Sequence, residues 1–104
     1  MKKLLDQGQI AVHPLIVAEI ALGSLRHRQK RLAEMDALTG WLTVANLDEV
    51  RRMIEVRSLY SRGIGLVDAH LLASCLMTPG TRLWTFDAAL GKVSKDLGIR
   101  ADPV

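Results

Sequence analysis

Apolar residues along this chain fall into two spacings, short runs suited to strands and longer stretches suited to helices. Gln9 to Val12 is a short strand candidate, closed by His13-Pro14. Helical signals begin at Pro14, because proline suits the first helical turn. Leu15, Ile16, Ile20 and Leu22 make the apolar side of that helix, which runs toward Leu25. Leu32, Met35 and Leu38 continue at helical spacing up to Gly40. Trp41 to Ala45 reads as a second strand. Asn46 is placed to cap the next helix, with Asp48 and Glu49 in the first turn, where acids favour the helix dipole. Leu47, Val50, Met53 and Ile54 give that helix one apolar face. Gly63 and Gly65 break the pattern. Ala69 to Met77 is an apolar helix stopped by Pro79-Gly80. Arg82 to Phe86 is a strand that runs straight into Asp87. Ala88 to Leu97 is a short amphipathic helix with Gly98 as its C-terminal cap, and Ile99 to Ala101 is a last short strand candidate.

Strands alternating with helices predict an α/β domain with a mostly parallel sheet and helices on both faces. The 104 residues suffice for one domain, 1–104, and leave no room for a second core. Only Trp41, Tyr60, Trp84 and Phe86 are aromatic, so the core must be aliphatic.

Charge and cysteine content narrow the picture a little. The formal net charge is +3, a mild basic excess that suits a polyanionic partner without specifying one. Arg26, His27, Arg28, Lys30 and Arg31 cluster, and Arg51, Arg52, Arg57 and Arg62 follow. They could track a nucleic-acid backbone, but a solvated helix face is the simpler reading for most of them. The single cysteine, Cys75, lies in an apolar run and reads as a buried thiol, compatible with a reducing cytoplasm. Asp6, Gln7 and Gln9 interrupt the apolar stretch that a signal peptide would need. No apolar run approaches a membrane span. His13, His27 and His70 lack a zinc spacing.

Three acids have settings unusual for plain surface charge. Glu19 sits among Leu15, Ile16, Leu22 and Gly23 at helical spacing, which predicts that it faces the core or a cleft; pairing with an arginine at the rim of the apolar face is the plain alternative. Asp68 lies between a glycine loop and a helix, and capping that helix is its plain alternative. Asp87 ends a strand, where ligands gather in parallel α/β sheets, and it too could simply cap a helix. Thr85, two residues earlier, shares its strand face. Gathered together, such carboxylates suit a hard cation such as Mg²⁺ or Mn²⁺, which activates water and neutralises charge on phosphate.

The words HPLIVAEIALGSL, YSRGIGLVDAHLLASCL and RLWTFDAALGKVSKDLGI resemble successive motifs of the PIN-domain ribonucleases of the VapC-like toxin kind, in order and over nearly the whole chain. The resemblance implies a Mg²⁺- or Mn²⁺-dependent endoribonuclease that hydrolyses RNA phosphodiester bonds. It implies a toxin neutralised by a cognate antitoxin and often a homodimer; the cysteine usage and the lack of a long apolar run add the expectation of a cytoplasmic protein with no membrane segment. The family's helical Glu falls on Glu19, its later Asp on Asp68 and its strand-end Asp on Asp87, so these three are the expected catalytic and metal-binding residues. Family members also open with an apolar strand that ends in Asp and lies inside the sheet. Nothing before Gln9 resembles it, so a PIN-like sheet lacking that N-terminal strand is expected, and Asp6 is not given the missing role. The alternative function is a non-catalytic remnant that binds an antitoxin or a second copy of itself. A basic helical DNA-binding module is remote, since no recognition helix stands out.

Overall fold

The computed structural model describes the backbone of residues 3–6 and 10–11, and all of residues 13–39 and 42–101. Its elements are β1 (Lys3–Asp6), β2 (Ile10–Ala11), α1 (Pro14–Ala21), α2 (Arg28–Asp36), α3 (Leu47–Val56), α4 (Leu66–Met77), β3 (Arg82–Thr85) and α5 (Ala88–Asp96). The strands form one sheet in the order β2-β1-β3.

The expected parallel sheet is not found among the described residues. Both strand pairs are antiparallel, and the only parallel pairing is the bridge between Leu83 and Arg100. The cause on one side is connection length. Only residues 7–9 separate β1 from β2, whereas a parallel crossover needs about a dozen residues or more. A strand was also missed. β1 occupies the centre of the sheet, beside the strand that leads to Asp87, in the place the resemblance reserves for the family's opening strand. It runs opposite to β3, with Leu5 level with Leu83 and Asp6 level with Arg82. Asp6 is therefore at the far end of β3 from Asp87, roughly 10 Å along the strand even from Thr85. That register supports leaving Asp6 out of the acid set.

The second predicted strand is also corrected. Residues 42–46 have no regular structure; Gly40 and Trp41 lie outside the described residues. Leu42 and Ala45 are buried while Thr43 and Val44 are exposed, which is not the alternation of a strand. The Thr43 N–H donates to the Thr78 Oγ1 at 3.0 Å instead of joining a ladder. The first strand candidate shrinks to Ile10–Ala11, with Gln9 and Val12 outside the described residues.

Helix ends follow local chemistry. Pro14 opens α1, and the helix stops at Ala21 instead of running to Leu25. The Arg28 guanidinium donates to the Ala21 and Gly23 carbonyls, which satisfies the end of α1 with a cation where the dipole favours one. That gives one member of the basic cluster a structural task. Asn46 and Glu49 form a reciprocal capping box on α3, at 2.8 and 3.0 Å. α5 ends in a Schellman turn: Gly98, at φ 74°, donates to Lys95 O, and Ile99 donates to Ser94 O. The turn sends Ile99–Ala101 alongside β3, where Leu83 N–H meets Ile99 O at 2.7 Å and Ala101 N–H meets Leu83 O at 2.8 Å. The expected last strand is thus a single parallel bridge.

The core is aliphatic, as the composition requires. Leu71, Leu72 and Cys75 of α4 pack with Leu83 of β3 and with Leu90 and Val93 of α5. Ile16 and Val17 bring α1 into the same cluster. α4 and α5 both lie against β3, so this core fixes the helix starts that bear Asp68 and Asp87.

Candidate functional site

Asp87 is the most fully built of the three acids. It is the N-cap of α5, and its Oδ1 accepts the Leu90 N–H at 2.8 Å. Its own N–H donates to the Thr85 Oγ1 at 3.1 Å. The threonine hydroxyl therefore fixes the turn from strand to helix. Gly91 is buried against β3, and a Cβ there would meet Thr85 and Arg100 only in ordinary contact, at 4.0 Å from each. A surface cleft opens here, lined by Thr85, Phe86, Asp87, Lys92, Lys95 and Arg100 among others. The three cations were not singled out from the sequence. Their gathering depends on the turn at Gly98, which returns Arg100 to the strand. Asp96, in the same lining, is held by Arg62 at 2.7 Å, and that hydrogen bond keeps its carboxyl below the ordinary Asp range.

Asp68 is half-buried, but it is not the N-cap. α4 begins at Leu66 rather than Ala69, so Asp68 is its third residue, and its Oδ2 accepts the Gly65 N–H at 3.3 Å. Glu19 is exposed on α1, contrary to the expectation that it faces the core. The helix stops before Leu22, which is 88% exposed, so the apolar stripe inferred around Glu19 never forms. Of the three acids only Asp87 lines the cleft described above. Among the described residues no group of three or more His, Cys, Asp or Glu side chains stands close enough to hold a metal ion. The donor chemistry suits Mg²⁺ or Mn²⁺, since all three donors are carboxylates. Mg²⁺ is ordinarily held by one or two carboxylates and keeps several waters. Among the described residues the three carboxylates are not gathered into one such site.

Two histidines, set aside in the zinc argument, are the other notable polar feature. His13 is 1% exposed and caps α1: its Nδ1 accepts the Leu15 N–H at 3.0 Å. Its ring stands edge-on to that of His70 on α4, with centres 6.1 Å apart. Burial, aided by the neighbouring His70, pushes the His13 pKa down to about 4. The signal for its cap was available in the sequence, because His13 directly precedes Pro14; its partner was not. Cys75 is buried and its thiol is pushed up to about 12, so it stays protonated and acts as a small hydrophobe. No helix among the described residues is long and apolar enough to cross a membrane.

Comparison with known proteins bears on the family of the chain. The chain is 38% identical over 97 residues to ribonuclease VapC32 from two strains of Mycobacterium tuberculosis, a match covering 93% of this chain and 77% of that protein. No family model matches. No solved structure matches either. Identity at this level over nearly the whole chain shows the family, and on that ground the chain belongs to the VapC-like family of PIN-domain toxins.

Proposed function

We propose that this protein is an endoribonuclease toxin that hydrolyses RNA phosphodiester bonds with Mg²⁺ or Mn²⁺ held by Glu19, Asp68 and Asp87. The observation that carries the reading is the 38% identity to a ribonuclease across 93% of the chain. Bound there, the cation would supply Lewis-acid chemistry toward water and phosphate. The chain's own residues have separate tasks. Asp87 has one carboxylate oxygen engaged in capping α5, which holds the group still and leaves the other oxygen for a cation or a water. Thr85 holds the backbone of that turn. Lys92, Lys95 and Arg100 line the same cleft and would hold RNA phosphates by charge, with a strong dependence on salt. Family membership further supports a cognate antitoxin as the inhibitory partner and a homodimer as the assembly. A groove between α3 and α4, lined by Met53, Val56, Leu76 and Met77, offers apolar surface for such contacts.

The second reading is a non-catalytic binding module, favoured by the separation of the acids among the described residues. Incubation of the purified protein with labelled single-stranded RNA separates the two. The enzyme reading expects cleavage with Mn²⁺ or Mg²⁺ that stops in excess EDTA and is lost in Asp68→Asn. Cleavage that persists in EDTA contradicts the metal assignment. Intact RNA under every metal condition leaves the binding module as the better account.

A further inference from the structure

An apolar side chain on a protein surface is ordinary when it stands alone. Phe86 does not stand alone. It is 63% exposed, and it lines the same cleft as Asp87, Lys92, Lys95 and Arg100. Its backbone is fixed on both sides, because it is the one residue between the end of β3 and the N-cap of α5. The Thr85 Oγ1 accepts the Asp87 N–H across it at 3.1 Å, and the Asp87 Oδ1 accepts the Leu90 N–H at 2.8 Å. The ring is steadied by Trp84, which it meets edge to face with centres 4.9 Å apart and planes at 64°. Aromatic pairs favour that geometry. The ring therefore has a defined position while most of the residue's surface faces solvent.

The surroundings decide what kind of partner the ring suits. Protein interfaces favour aromatics, but their centres are depleted in lysine. Here Lys92 and Lys95, one turn apart on α5, share the cleft with Arg100. Of the two acids in the lining, Asp96 is paired with Arg62 and Asp87 has one oxygen committed to the helix cap. An aromatic face among cations is the pattern of single-stranded nucleic-acid sites, where cations track the phosphates and the ring takes a base. The cleft encloses about 540 Å³, within the roughly 300–1,000 Å³ of sites that take a small organic group. Bases inside a duplex are covered by their stacked neighbours, so only an unpaired base can use the ring.

We propose that Phe86 is the base-stacking residue of the Asp87 cleft: an unpaired RNA base stacks on its ring while Lys92, Lys95 and Arg100 hold the neighbouring phosphates. The cleft then selects RNA that is single-stranded beside Asp87. The inference rests on the reading of RNA as the substrate. It requires no bound cation and neither Glu19 nor Asp68.

Binding is measured by fluorescence anisotropy in EDTA, so that neither cleavage nor a metal enters the result. Two labelled strands of about ten nucleotides are compared, oligo(A) and an abasic strand with the same ribose-phosphate backbone. The wild type should bind oligo(A) about tenfold or more tightly than the abasic strand. Phe86→Leu keeps an apolar side chain and removes the aromatic face. It should lose about tenfold on oligo(A) and nothing on the abasic strand, whereas Phe86→Trp should keep the preference. Lys92→Gln should weaken both strands alike and lower the salt dependence. Equal loss on both strands in Phe86→Leu, or no loss on either, overturns the proposal. Unchanged RNA affinity with a smaller mass in solution for Phe86→Leu also overturns it and assigns the ring to a protein contact. If Phe86→Leu does not fold, the wild type and Phe86→Trp decide the matter, since equal affinity for the two strands contradicts a stacked base. That result leaves RNA binding intact and removes only the stack. If the wild type binds neither strand, the RNA reading itself has failed and the proposal falls with it.

Discussion

Mild acid should destabilise this protein through His13. The ring is buried and uncharged in the folded state, with a pKa of about 4 against 6.5 for the free side chain. The unfolded chain takes up a proton as the pH falls through 6.5, while the folded chain resists until about 4. Across that window the unfolded state binds more protons, so stability is fully present above pH 6.5 and is lost as the pH falls toward 4. At pH 5 the unfolded ring is 1.5 pH units below its pKa, and at about 1.36 kcal/mol per unit the loss is about 2 kcal/mol. Protonation also places a hydrogen on Nδ1, where it opposes the Leu15 N–H and removes the cap of α1. For a small domain with a urea dependence of about 1–2 kcal/mol per molar, the unfolding midpoint should fall by about 1–2 M between pH 7 and pH 5. The Asp96 contribution has the same sign but acts lower, since stability from a depressed carboxyl is lost only below about its free value of 3.8. His13→Asn provides the control, because it keeps a cap and cannot titrate. If the variant loses as much stability as the wild type between pH 7 and pH 5, His13 is not the responsible group and the argument is wrong.

Two further substitutions probe the site and the core. Asp87→Ala should cost about 1 kcal/mol through the lost cap on α5, lowering Tm by about 4–8 °C, whereas Asp87→Asn should keep Tm within a degree or two and still abolish RNA cleavage; equal cleavage by Asp87→Asn would make this residue a cap only. Leu72→Ala, at a position with no exposed surface in the centre of the main cluster, should cost about 2–5 kcal/mol by chemical denaturation, and a loss under 1 kcal/mol would show that the cluster is misplaced.

What the sequence revealed was set by how local each signal is. Pro14, Asn46, Asp87 and Gly98 act on neighbours within a turn, and each appears in the structure at the helix end it predicted. β1 was invisible for the opposite reason. Of its two ladder partners, Arg82–Thr85 lies nearly eighty residues away and Ile10–Ala11 is only two residues long, and four residues with a lysine and an aspartate carry no period of their own. The misjudged burial of Glu19 came from a helix end. Leu22 and Gly23 continue the spacing on paper, but Arg28 returns to the Ala21 and Gly23 carbonyls and the helix stops first. Asp68 was displaced in the other direction, because Gly65 starts α4 three residues earlier than the apolar run suggested. The motif words located all three acids along the chain. They could not show that Asp87 alone lines a cationic cleft, or that His13 and His70 meet, because both depend on packing between distant segments.

The central claim is that Glu19, Asp68 and Asp87 serve one cation. Paramagnetic broadening by Mn²⁺ tests it without relying on turnover. With ¹⁵N-labelled protein and substoichiometric Mn²⁺, the amides around all three acids should broaden together, at the same added concentration, and recover on addition of EDTA. Other exposed acids, such as Asp48 and Glu49 at the start of α3, should stay sharp at that concentration. Broadening confined to one of the three acids, or spread evenly over the acidic surface, would contradict a shared site.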